Sequence, residues 1–92
     1  MSSGRRHIAV TGRVQGVGFR YHVVQLARQL GLVGYVRNTP TGVAIEVEGD
    51  IQNMKSFLIS LEARPPRQAS IQSFEVTSRP LRGDKDFYID ET

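Results

Sequence analysis

The chain has 92 residues, of which 39% are hydrophobic and 23% charged, a size and balance that suit one small globular domain with a single core. It has no cysteine, which excludes disulfides, thiol catalysis and thiolate metal sites and suits a cytoplasmic protein, and no stretch reads as a transmembrane helix or signal peptide. The net charge of +3 favours anionic partners, but the basic residues are scattered along the chain, so a small anion fits as well as a nucleic acid.

Residues 1–4 are polar and expected to fray. From Arg6 to Val14 the pattern alternates, with Ile8 and Val10 on one face and His7, Ala9 and Thr11 on the other. This predicts a half-buried strand. Arg5-Arg6 reads as its solvated start, and His7 as a surface or rim residue. A glycine-rich stretch follows. Phe19, Val23, Leu26, Ala27 and Leu30 then mark one face of an amphipathic helix closed by Gly31. His22, with no evident partner, is expected to face solvent.

Leu32 to Thr39 reads as a second strand, turned by Thr39-Pro40-Thr41-Gly42. Val43, Ile45 and Val47 alternate with Ala44, Glu46 and Glu48, giving a third strand antiparallel to the second. Asp50 is a natural N-cap. Ile51, Met54, Phe57, Leu58 and Leu61 mark a second helix, stopped by Pro65-Pro66. Ser70 to Ser78 reads as a fourth strand with Phe74 and Val76 facing inward. A turn over 79–84 leads to a short last strand from Phe87 to Asp90. The order β-α-β-β-α-β plus a terminal strand predicts an α+β, ferredoxin-like fold, one domain over residues 1–92, with two helices on one face of an antiparallel sheet.

The chemistry concentrates in Gly12-Arg13-Val14-Gln15-Gly16-Val17-Gly18-Phe19-Arg20. Gly12, Gly16 and Gly18 fall within seven residues, at the passage from strand to helix. Glycines let backbone amides turn towards one point, and the helix N-terminus adds positive potential there. Arg20 would bring a cationic fork to the same place. These residues alone permit a phosphate cradle or a plain tight turn. Asn38 and Thr39 end the second strand, where Asn38 is either a turn residue or, if the strands are suitably staggered, a neighbour of the glycine loop.

Val10 to Arg20, with its Val14-Gln15-Gly16-Val17-Gly18-Phe19-Arg20 core, closely resembles the signature of the acylphosphatase family. Leu30 to Thr39, followed by Gly42, resembles that family's second signature, and the likeness extends over essentially the whole chain. Tyr35 stands where the family often has tryptophan, and Pro40-Thr41-Gly42 replaces a more usual Asp-Gly turn. The resemblance implies a ferredoxin-like fold and hydrolysis of acyl phosphates, small-molecule anhydrides of a carboxylic acid and phosphate. It implies that Arg20 binds the phosphate and that the backbone amides of Gln15, Gly16, Val17, Gly18 and Phe19 line the cradle. It further implies that Asn38 positions the attacking water, with Thr39 in a supporting role. No metal or other cofactor is expected, because a carboxylate leaves without a general acid: its conjugate acid has a pKa of about 4–5.

Arg64-Pro65-Pro66, with Gly42-Val43-Ala44-Ile45-Glu46-Val47-Glu48-Gly49, also resembles the acylphosphatase-like N-terminal domain of the large carbamoyltransferases that mature nickel–iron hydrogenases. An anion-binding regulatory domain without turnover is a further alternative. An RNA-recognition module fits poorly, because neither Ala44, Glu46 and Glu48 nor Val43, Ile45 and Val47 offers a stacking ring. The expected protein is a monomer with neither nucleic-acid nor membrane partner. A shallow, phosphate-centred site would discriminate weakly between acyl groups.

Overall fold

The computed structural model describes residues 2–91. The elements follow in the order β1 (Ser3–Arg13), α1 (Phe19–Gln29), β2 (Val33–Thr39), β3 (Gly42–Asp50), α2 (Ile51–Ala63), β4 (Ser70–Arg79) and β5 (Phe87–Ile89). The five strands form one sheet in the order β4-β1-β3-β2-β5. All pairs are antiparallel except β2 with β5, which run parallel. The ferredoxin-like α+β arrangement is therefore present, with β5 extending the sheet beyond β2.

Alternation in β1 and β3 sets which face meets the helices. Ile8 pairs with Ile45 and Val10 with Val43, and all four are buried in the core with Phe19, Val23 and Ala27 of α1 and Met54, Phe57 and Leu61 of α2. The Asp50 carboxylate caps α2 by accepting from the Gln52 and Asn53 amides at 3.1 Å, as its type and position suggest.

Five expectations fail. The chain does not fray from Ser3 onward, because Ser3 and Gly4 pair with Asp50 and Gly49 of β3; Met1 lies outside the described residues. Arg5 is not a solvated strand start but is 2% exposed. It lies on the sheet face away from the helices, where its Nε donates to Glu46 Oε1 at 2.7 Å and its Nη1 to Glu48 Oε1 at 3.0 Å and Asp84 Oδ2 at 3.1 Å. Glu46 and Glu48, read as the polar face of β3, are buried by that arginine. Val76 is exposed, because β4 is an edge strand that pairs only with β1. His22 is half-buried rather than solvent-facing, and its buried Nε2 finds no partner among the described residues. Burial lowers its pKa, against a smaller upward pull from the Arg64 backbone.

Candidate active site

The loop between β1 and α1 turns through two glycines with left-handed backbone, Gly16 at φ 73° and Gly18 at φ 76°. A side chain at either would meet nothing within 4 Å. Conformation and not space therefore calls for glycine here. Gly18 is also the N-cap of α1 and supplies no side-chain cap. Among the described residues, no hydrogen bond within the chain engages the backbone N–H groups of Gln15, Gly16, Val17, Gly18 or Phe19. The loop thus presents donors at the positive end of a helix, an arrangement that favours an anion. Phe19, 1% exposed, anchors the first turn of α1 in the core. Arg20, next in the chain, keeps its side chain partly open to solvent.

The stagger that the topology left open is set by the strand registers, which bring Thr11 of β1 and Thr39 of β2 to Gly42 of β3, and a side chain then joins the loop to the turn. Gln15 Nε2 donates to Thr39 O at 2.6 Å and to Gly42 O at 2.8 Å. It straps the glycine loop to the turn between β2 and β3. Thr39 takes part through its carbonyl and not its hydroxyl. Asn38, exposed near the end of β2, then shares with Arg20 a cavity of about 250 Å³, whose other walls are Asp90 and Glu91. A smaller cavity of about 110 Å³ is lined by the glycine loop, Arg20 and Tyr21. Arg20 borders both, so it stands between the asparagine and the loop amides.

Two acidic residues reach this site that sequence reasoning did not assign to it. Asp90 N donates to Val36 O at 2.9 Å, extending the parallel pairing of β5 with β2. That pairing carries residues 90 and 91 alongside the end of β2, next to Asn38. The Glu91 carboxylate lies 3.7 Å from Arg20 Nη1 and is largely exposed, so solvent screens the pair. A parallel β5 would have announced these residues, but three residues of strand carry no directional signal. The Gln15 strap had no signal either, because an amide at that position reads equally as loop polarity.

A larger concavity, about 790 Å³, lies elsewhere, between the end of β1, the start of β4 and Thr41. It includes neither Arg20 nor Asn38. Convergent donors define an anion site better than volume does.

The family model named Acylphosphatase matches residues 6–89. The acylphosphatase of Oceanobacillus iheyensis is 46% identical over 74 residues, covering 77% of this chain and 81% of its own length. That of Bifidobacterium longum is 42% identical over 89 residues, covering 96% of this chain and 84% of its own. Among solved structures, the acylphosphatase from Bacillus subtilis superposes with a TM-score of 0.87 at 36% identity, over 97% of this chain and 99% of that one. Full-length HypF, in a phosphate- and nucleotide-bound form, superposes with a TM-score of 0.94 at 34% identity over 98% of this chain; this chain spans 12% of that protein.

Proposed function

Because the chain belongs to the acylphosphatase family, we infer that it hydrolyses acyl phosphates to a carboxylate and inorganic phosphate. The observation that carries the site assignment is that Arg20 and Asn38, from separate elements, line one cavity beside a loop of unengaged amides. In this reading the phosphoryl group sits against Arg20 and the N–H groups of Gln15 to Phe19. Their positive charge stabilises the equatorial oxygens as the bond to the acyl oxygen loosens. Asn38 holds a water in line with that bond. The water oxygen forms the new bond to phosphorus, the acyl oxygen leaves with the bonding pair as a carboxylate, and the water proton passes to a phosphate oxygen. Positioning and charge stabilisation suffice because the leaving group needs no proton. Thr39 supports the site through the Gln15 strap.

We take the working unit to be a cytoplasmic monomer that needs no metal or other cofactor and binds neither nucleic acid nor membrane. No helix among the described residues is long and apolar enough to cross a membrane. A second reading, the acylphosphatase-like domain of a larger protein, draws on the likeness to HypF. Relatives named acylphosphatase match along most of their own length, which favours the hydrolase.

Hydrolysis of benzoyl phosphate at neutral pH, with a chelator present and in heavy-oxygen water, tests the reading. The account expects turnover with one labelled oxygen in the phosphate. Label in the benzoate, or no turnover by the folded protein, would overturn it.

A further inference from the structure

We propose that the groove between α1 and β5 is the subsite for the acyl group, and that it selects apolar, ring-sized acyl groups over small ones. The proposal rests on the acyl phosphate hydrolase reading above. The groove encloses about 300 Å³ between Tyr21, Val24, Gln25 and Arg28 of α1 and Tyr88 and Ile89 of β5. That volume is at the lower end of the roughly 300–1,000 Å³ of small-molecule sites. Tyr21 is 71% exposed and Tyr88 43%. The Tyr88 ring packs on Tyr35, with 6.0 Å between centroids, on the sheet face away from the helices, so Tyr21 is the aromatic side chain left to flank the groove, and a ring there offers apolar contact with little entropy to lose.

Continuity with the phosphate site decides the occupant. Tyr21 lines both the groove and the cavity of the glycine loop, and Arg20 lines that cavity together with the one holding Asn38. At the other wall, Ile89 directly precedes Asp90, which borders the Asn38 cavity. In an in-line displacement the acyl oxygen departs on the side of phosphorus away from the attacking water. Asn38 does not line the groove, whereas Tyr21 joins it to the loop side of Arg20. An acyl group leaving on that side meets the Tyr21 ring.

The charges around the groove favour a neutral occupant. Arg28 is engaged at the far end, where its Nε donates to Phe87 O at 3.1 Å and its guanidinium lies 3.6 Å from Asp86. Arg28 is the charged side chain lining the groove, and its engagement gives a second carboxylate on the acyl group little to bind. An acyl group held in this groove is therefore expected to be uncharged and apolar.

The test compares kcat/KM for benzoyl phosphate and acetyl phosphate in the wild type, Tyr21→Ala, Tyr21→Phe and Ile59→Ser. Comparing ratios between variants cancels the different intrinsic reactivities of the two leaving groups. Because Tyr21 is exposed, its truncation opens no core cavity. Tyr21→Ala is expected to lower the benzoyl-to-acetyl ratio roughly tenfold, chiefly through KM. Tyr21→Phe keeps the ratio. Ile59→Ser, which removes an equally exposed apolar residue on α2, leaves both substrates unaffected. An unchanged ratio in a Tyr21→Ala protein that still hydrolyses both substrates would overturn the subsite. Failure of the folded wild type to hydrolyse either would overturn the underlying hydrolase reading instead.

Discussion

At the scale of single residues, the site depends on conformations that only certain side chains permit. Gly18 holds φ 76° at the start of α1 with open space around it. Gly18→Ala should therefore lose about 1–2 kcal/mol from left-handed strain alone. The strained loop should also present its amides less well. Urea denaturation with and without inorganic phosphate checks both effects: the variant is expected to be less stable and to gain less from phosphate. Equal stabilisation by phosphate in both proteins would remove the loop amides from the cradle. The turn through Gly16 and Gly18 was legible in the sequence because closely spaced glycines mark left-handed backbone, whereas the phosphate role expected of the loop and Arg20 came from the resemblance. The Glu91 approach to Arg20 was not legible, because it follows from strand pairing and not from spacing.

Between elements, two contacts hold the architecture that the site needs. The Gln15 side chain ties the glycine loop to the β2–β3 turn through two carbonyls. Gln15→Ala keeps every backbone amide but removes the link that holds the glycine loop, and Arg20 after it, against the end of β2, which β3 still fixes. A misplacement of this kind can lower kcat by up to about a hundredfold, while inhibition by phosphate should persist. A variant with wild-type kcat would show that the strap does not position Arg20 against Asn38. The second contact is the Arg5 cluster, which also gathers the β4–β5 connection through Glu48, an acceptor from the Arg82 and Gly83 amides at 2.8 and 3.0 Å. Arg5→Met would strand two buried carboxylates and should destabilise the fold by about 3–5 kcal/mol. Replacing Glu46 and Glu48 with leucine in the same protein should restore much of that, and denaturant unfolding measures both. Element order was readable from periodicity. The Arg5 cluster was not, because its partners lie 41, 43 and 79 residues away, and a charged residue on a strand reads as a solvated one until its neighbours are known.

For the whole molecule, acid should be the weak side of the stability profile. Burial pushes the Glu48 carboxyl up, but hydrogen bonds from the Arg82 amide, Arg5 and the Gly83 amide outweigh it and hold the pKa below the usual carboxylate range. The stability this supplies is complete above the unfolded value of about 4.3 and is lost as pH falls towards the lower native value. His22 acts in the same direction at higher pH. Its native pKa is depressed by burial, so the unfolded chain takes up the proton first once pH falls below about 6.5. The urea midpoint is therefore expected to be lower at about pH 5.5 than at pH 7.5, and His22→Leu should flatten that difference; a slope unchanged by the substitution would contradict the assignment to His22. The central claim is that Arg20 holds the phosphate while Asn38 serves only the water, and it is tested most directly by benzoyl phosphate kinetics and phosphate inhibition of wild type, Arg20→Ala and Asn38→Ala, measured side by side. The account predicts that Arg20→Ala loses phosphate inhibition and about 100- to 1,000-fold in kcat/KM, whereas Asn38→Ala keeps phosphate inhibition and loses kcat. Normal turnover by Asn38→Ala, or undiminished phosphate inhibition in Arg20→Ala, would contradict it.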